Sequence, residues 1–236
     1  MTLPKSLFAP HIAHRGLWRA DGPPENSLSA FDAACKAGFG IELDVFLSAD
    51  GEAMVFHDDS LERMTGTQGR VWELTAKDLT VLRLRGGPER IPTLAETLDL
   101  VAGRAMVLVE IKASPAVGGP LETRVAEVLD HYDGQAAVIS FEPRALAWFA
   151  AHRPDRPRGL DAMNLYEPEG AATFEQACAL AEPDFLALEL TAAMSETAIR
   201  RRSAGQPVIA WTVRSAVDVV RMASYCDNFI FEGFTA

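Results

Sequence analysis

Between residues 40 and 56 hydrophobic and polar positions alternate. Ile41, Leu43 and Val45 fall on one side, Glu42, Asp44 and Phe46 on the other. Period two predicts a strand, and residues i and i+2 of a strand share a face, so the two acids stand together. Asp50-Gly51 is a hairpin signal, and Ala53-Met-Val-Phe56 predicts the antiparallel return. With the turn centred on Asp50-Gly51, His57 falls opposite Asp44. A slip of one residue turns His57 to the other face.

Elsewhere short β-type runs alternate with Ala/Leu-rich helical runs. His11–Gly16 predicts a strand ending in a glycine turn. Asn26 or Ser27 caps a helix to about Gly38, with Leu28, Phe31, Ala34 and Cys35 at helical spacing. Residues 61–90 are irregular, with Gly66, Gly69, Gly86, Gly87 and Pro88, and predict a lid or small insert in which Thr75 starts one helical turn. Thr93 with Glu96 forms a capping box. Strands are then predicted over 105–112, 136–141, 157–163, 185–190, 207–213 and 228–231, and helices over 121–131, 144–152, 173–181, 195–204 and 215–224. The hairpin return runs antiparallel and cannot be a barrel strand, because parallel neighbours need a crossover. Eight parallel strands plus that return predict an α/β fold, a (β/α)₈ barrel with an added hairpin strand and a small insert. The alternative is an open doubly wound sheet, but no Gly-x-Gly-x-x-Gly turn follows a strand. No low-complexity linker divides the chain, so residues 1–236 are read as a single domain.

Length and composition agree with this. The chain has 236 residues, 48% of them hydrophobic, enough for one barrel of roughly 250 residues. A net charge of −11 and the lack of a basic stripe argue against nucleic acid as partner. Cys35, Cys178 and Cys226 are far apart, odd in number and without metal-ligand spacing, so no disulfide framework is expected. No signal peptide is evident in the first residues and no apolar stretch reaches membrane-spanning length, so a cytoplasmic protein without stable membrane insertion is expected. No sequence feature speaks to the oligomeric state.

In a barrel the site lies at the C-terminal ends of the strands. Those ends carry His14, Arg15 and Gly16 on the first strand, Glu42 and Asp44 on the second, Glu110 and Lys112 on the third and Trp211 on the seventh, with His57 on the hairpin. Glu110 and Lys112 continue the apolar run Met106–Val109, where unpaired charge is costly to bury. Glu42, Asp44 and Glu110 suit one hard divalent cation. Arg15 and Lys112 suit a phosphate. His14 and His57 suit a general acid–base pair. The bland alternative is a set of salt bridges, Glu110–Lys112 and Asp44–Arg15, plugging the barrel mouth.

The motifs His14-Arg15-Gly16, Pro24-Glu25-Asn26-Ser27, Glu42-x-Asp44, Val55-Phe56-His57-Asp58, Ile91-Pro-Thr-Leu, Glu110-x-Lys112, Ser140-Phe141 and Trp211-Thr-Val213 resemble, in order, the signature of the glycerophosphodiester phosphodiesterases. The resemblance implies a barrel of the phospholipase C-like phosphodiesterase type. It also implies one divalent cation, Mg²⁺ or Ca²⁺, and a small-molecule glycerophosphodiester substrate, hydrolysed to an alcohol and sn-glycerol 3-phosphate. On the matching positions, Glu42, Asp44 and Glu110 are implied as metal ligands and His14 and His57 as the acid–base pair. Arg15 and Lys112 are implied as phosphate contacts, Trp211 as a wall against the glycerol, and Glu25 and Asn26 as supports. Ser27 replaces the family's usual Thr, Arg214 stands where Asn is frequent, and Glu232 takes over a polar position near the end. Two other readings remain. One is a lysophospholipase D-like activity on lipid phosphodiesters, against which no apolar surface loop or basic amphipathic helix is evident. The other is a non-catalytic barrel that binds glycerophosphoesters, which would need no histidine pair.

Overall fold

A computed structural model of the chain describes residues 3–113 and 118–234. Eight parallel strands close into a barrel: β1 (Ile12–Ala13), β2 (Gly40–Leu47), β4 (Val107–Ile111), β5 (Ala136–Ser140), β6 (Arg158–Ala162), β7 (Phe185–Glu189), β8 (Val208–Val213) and β9 (Asn228–Phe231). Each pairs with its neighbour in that order, and β1 pairs with both β9 and β2 to complete the ring. The ninth strand, β3 (Ala53–Val55), runs antiparallel to β2. Helices α1 (Leu28–Ala37), α4 (Leu94–Val101), α5 (Pro120–Asp130), α6 (Pro143–His152), α7 (Pro168–Ala181), α9 (Glu196–Ser203) and α10 (Ala216–Met222) connect the strands, with single turns at α2 (Glu62–Thr65), α3 (Ala76–Leu79) and α8 (Leu190–Ala193). Among the described residues no helix is long and apolar enough to cross a membrane.

The alternation in β2 decides which groups enter the barrel. Ile41, Leu43 and Val45 point outward into the apolar layer beneath the helices, with Phe31, Leu98, Val125 and Phe149. Their neighbours Glu42 and Asp44 therefore point inward, at 1% and 0% exposure. Much of the barrel interior is filled by Ile12, Met106, Leu108, Ile139, Phe185, Ile209 and Ile230. Gly159 makes room for this filling: a Cβ there would lie 2.3 Å from the Phe185 ring.

The caps behave as the side-chain chemistry predicts. Ser27 accepts from the Ala30 N–H at the start of α1, and Gly38 ends it at φ 77°. Thr93 and Glu96 form the capping box of α4, and Thr75 caps the one-turn α3. The segment 61–90 packs as a small insert with its own core: Leu61, Met64, Val71, Leu79 and Leu84 close over Phe46, Met54 and Phe56 of the hairpin.

Three expectations about elements need correction. Strand β1 spans two residues, because Arg15 and Gly16 leave extended backbone for positive φ. Helix α7 begins at Pro168, several residues before Thr173, since proline is well placed in the first turn. The hairpin register is shifted by one: Val45 pairs with Val55, so Phe56, whose N–H donates to the Asp44 carbonyl, stands opposite Asp44 in place of His57. The turn holds three residues rather than two. Ser48 closes on Glu52, and Gly51 takes φ 89°, as in three-residue hairpin loops with glycine in the left-handed position. His57 lies beyond the paired residues of β3, so the loop and not the pleat sets its direction.

Candidate active site

The mouth of the barrel holds a cavity of about 270 Å³ whose lining includes His14, Arg15, Glu42, His57, Glu110, Lys112 and Trp211. Thus seven residues singled out from sequence meet in one place. Asp44 lies directly beneath, fully buried, and Glu25 and Asn26 stand behind it.

The chain reaches this geometry through a strained turn. Arg15 and Asn26 both have positive φ, at 56° and 54°, a conformation costly for non-glycine residues and held only where surrounding contacts fix it. Those contacts are present. The Asn26 N–H donates to the Arg15 carbonyl, Asn26 Nδ2 donates to Asp44 Oδ2 at 2.7 Å, and the Arg15 N–H donates to Glu42 Oε2 at 2.9 Å. Gly16 follows at φ 77° and passes so close to α1 that a Cβ would meet Ala30 and Phe31 at 2.9 Å. Within the Pro24-Glu25-Asn26-Ser27 run, Glu25 holds Arg15 at 2.8 Å, Asn26 holds Asp44, and Ser27 caps the helix.

Three carboxylates converge. One oxygen from each of Glu42, Asp44 and Glu110 lies within 4.8 Å of the others. Lys112 Nζ stands 3.0 Å from Asp44 Oδ1 and 2.8 Å from Glu110 Oε1, and Arg15 Nε is 3.5 Å from Asp44 Oδ2. Burial opposes the ionised form of Asp44, but Lys112 and Arg15 outweigh it and hold the carboxyl well below its ordinary range. Burial also opposes the charge on Lys112, and Asp44 and Glu110 outweigh that in turn, so the ammonium persists to high pH. Glu42 differs. Burial and the neighbouring charges of Asp44 and Glu110 raise it well above the usual range, and its Oε1 is buried with no hydrogen-bond partner among the described residues. Glu110 is pushed up to about 7, chiefly by burial. A buried oxygen without a partner, in a cluster of hard donors richer in anions than in cations, fits a divalent cation such as Mg²⁺ or Ca²⁺.

The histidines are held alike. His14 Nδ1 is 2.6 Å from Glu232 Oε2, and His57 Nδ1 is 2.7 Å from Asp58 Oδ1. Each carboxylate is braced by an arginine: Glu232 by Arg214 at 2.7 Å, and Asp58 by Arg63, which also grips Glu25 at 2.6 Å. With Nδ1 donating to a carboxylate, Nε2 is left for the cavity, and His14 Nε2 lies 4.0 Å from Glu42 Oε2. Burial opposes ionisation of Glu232, yet the hydrogen bond from His14 prevails and holds its pKa at about 2. A depressed folded-state pKa contributes stability that is complete above the unfolded value and lost as pH falls through the folded one. The melting-temperature gap between wild type and Glu232→Gln should therefore be constant above pH ~5 and close progressively as pH is lowered from about 4.5 towards 2. Thermal melts at successive pH values test this; a gap that ignores pH would contradict it.

Sequence reasoning missed two groups. Asp161, on β6, is an acid inside the barrel; the signal was its parity with Gly159, both out of phase with the outward Leu160. Arg63, in the insert, has no local signal, because its partners Glu25 and Asp58 come together only in three dimensions. The apolar surface is also larger at the mouth than expected: Phe141 and Met163 line the cavity while 43% and 46% exposed.

Comparison with known proteins agrees with this architecture. Residues 14–228 match the model of the glycerophosphoryl diester phosphodiesterase family. The chain is 30% identical over 230 residues to a glycerophosphodiester phosphodiesterase of Caldanaerobacter subterraneus subsp. tengcongensis, covering 89% of this chain and 88% of that one. It is 28% identical over 251 residues to one from Bacillus subtilis, covering 94% and 83%. Among solved structures, an Oleispira antarctica phosphodiesterase in complex with the product sn-glycerol 3-phosphate superposes with TM-score 0.82 at 24% identity, over 96% of this chain and 94% of that one. A match that runs from the first barrel histidine to the last strand leaves one assignment: the chain belongs to the glycerophosphoryl diester phosphodiesterase family and is a phosphoric diester hydrolase.

Proposed function

We propose that the chain hydrolyses glycerophosphodiesters to an alcohol and sn-glycerol 3-phosphate, using one divalent cation and a pair of histidines. One observation carries this reading. Two imidazoles, each fixed at Nδ1 by a braced carboxylate, face the cavity that also opens onto three clustered carboxylates. A barrel that only bound ligand would need no such pair of oriented proton carriers, and ion pairs that merely plugged the mouth would not leave Glu42 Oε1 without a partner.

Glu42, Asp44 and Glu110 are the residues that would hold the cation, which when bound supplies Lewis-acid polarisation and positive charge against the phosphoryl group. Lys112 and Arg15 receive the phosphate oxygens. Arg15 is pre-oriented by Glu25, and the Lys112 charge is secured by Asp44 and Glu110. One histidine removes the proton from the attacking oxygen, and the other protonates the leaving alkoxide, each through Nε2. Trp211 and Phe141, whose rings meet edge to face at 5.5 Å, wall the organic part of the substrate.

The product identifies the bond that breaks. With glycerophosphocholine as substrate, ³¹P NMR should show sn-glycerol 3-phosphate as the phosphorus-containing product, with free choline in the ¹H spectrum. Phosphocholine and glycerol in its place would overturn the assignment. A second reading, lysophospholipase D-like cleavage of a lipid phosphodiester, is favoured by the exposed Phe141 and Met163 at the mouth; faster release of choline from lysophosphatidylcholine than from glycerophosphocholine would support it over the first.

A further inference from the structure

The cavity is divided. His14, Arg15, Glu42, Glu110 and Lys112 come from β1, β2 and β4 or their ends and His57 from beyond the hairpin, whereas Ile139, Phe141, Met163, Trp211 and Ile230 make the other side mainly apolar, with Thr212 and Arg214 also on the lining. A single acid, Asp161, stands among these apolar walls. It is 5% exposed, and among the described residues its Oδ2 has no hydrogen-bond partner. Among the described residues Asp161 forms no ion pair, and it lies outside the cluster of Glu42, Asp44 and Glu110. Trp211 Nε1, on the same cavity, is likewise buried without a partner. The indole N–H is near enough to temper the rise that burial and Glu110 impose on the Asp161 carboxyl, but short of a hydrogen bond of normal geometry.

A buried acceptor and a buried donor, both unpartnered and both facing one cavity, define what can satisfy them. An ammonium group donates but cannot accept. A phosphate or carboxylate accepts but cannot donate. A hydroxyl does both. The apolar surfaces around the pair suit the C–H faces of a small polyol, whose hydroxyls then need partners on the same wall.

We propose that Asp161 is a specificity-determining residue: together with Trp211 Nε1 it recognises a hydroxyl of the substrate's glycerol moiety, the hydroxyl donating to Asp161 Oδ2 and accepting from the indole N–H. This rests on the function proposed above and adds to it the group that separates glycerol esters from other phosphodiesters. A site built to hydrogen-bond a hydroxyl rejects the analogue lacking it, because its buried polar groups are then left unpaired.

The test compares binding of sn-glycerol 3-phosphate with binding of n-propyl phosphate, which keeps the phosphate and three-carbon chain but lacks both hydroxyls. Calorimetry with Mg²⁺ or Ca²⁺ present is expected to show the wild type preferring the glycerol ester by about 10-fold or more. In Asp161→Leu the preference should vanish through weaker binding of sn-glycerol 3-phosphate alone, with n-propyl phosphate affinity within about 2-fold of wild type. Asp161→Asn, which keeps shape and one acceptor oxygen, should fall between and serves if the leucine variant does not fold. An unchanged preference in the variants, or none in the wild type, overturns the proposal. So does a loss of cation affinity in both variants, which would make Asp161 part of the metal site. Because binding is read without turnover, failure here is separable from failure of the hydrolytic reading, which would show as intact glycerophosphocholine.

Discussion

His14→Ala and His57→Ala are each expected to lower turnover of a glycerophosphodiester by about 10²–10⁴-fold, the range typical of a lost general acid or base, while moving the melting temperature little. The first half follows from the proposal that the two imidazoles, whose Nε2 atoms are left for the cavity, carry the protons. The second half follows from what each leaves behind. Without His14, Glu232 still pairs with Arg214. Without His57, Asp58 still pairs with Arg63. Neither substitution strands a charge, and both rings are partly exposed rather than core. Steady-state kinetics beside thermal melts separates the two effects. A variant that keeps wild-type turnover removes that histidine from the mechanism; a variant that loses activity only by unfolding leaves its role unproven and contradicts the stability half of the account.

The second large effect concerns the acids beneath the cavity, where two neighbouring carboxylates should respond in opposite directions. In cation-free protein, Asp44→Asn removes the anion that Lys112 and Arg15 both face and that Asn26 hydrogen-bonds. Breaking a buried ion pair from one side is strongly destabilising, here by about 3 kcal/mol, or roughly 6–12 °C in melting temperature for a chain of this size. Glu42→Gln instead removes charge from a buried carboxyl whose Oε1 has no partner among the described residues and on which the charges of Asp44 and Glu110 weigh more than that of Arg15. It should raise the cation-free melting temperature by roughly 2–4 °C, equivalent to about 1 kcal/mol. Added Mg²⁺ or Ca²⁺ should raise the melting temperature of the wild type through binding to the folded state and leave both variants nearly unmoved. Such a pattern marks Glu42 as an acid retained for a ligand at some cost to the empty fold. Equal destabilisation by both substitutions, with no response of the wild type to cation, would make the cluster a structural ion-pair network.

The fold was legible where side-chain parity and caps act locally. Ile41, Leu43 and Val45 announced a strand with Glu42 and Asp44 on its other face, and that face is the barrel interior. Thr93 with Glu96, Ser27 and Thr75 marked helix starts that the structure keeps. The hairpin register was not legible, because Asp50-Gly51 serves a two-residue turn and a three-residue turn equally well; only the closure of Ser48 on Glu52 decides between them. Most of the site could be read because its residues stand at strand ends in short motifs. Its supports could not. Arg63 reaches Glu25 across the insert, and Asp161 becomes conspicuous only once Gly159 and Phe185 show which side of β6 faces inward.

The most direct measurement is release of sn-glycerol 3-phosphate from glycerophosphocholine by protein stripped with EDTA and then given Mg²⁺ or Ca²⁺, with Glu110→Gln assayed alongside. Cation held by Glu42, Asp44 and Glu110 predicts no release after stripping, recovery in the wild type on adding back one of the two ions, and little recovery in the variant. Full activity in EDTA, or recovery of the variant equal to that of the wild type, would contradict it.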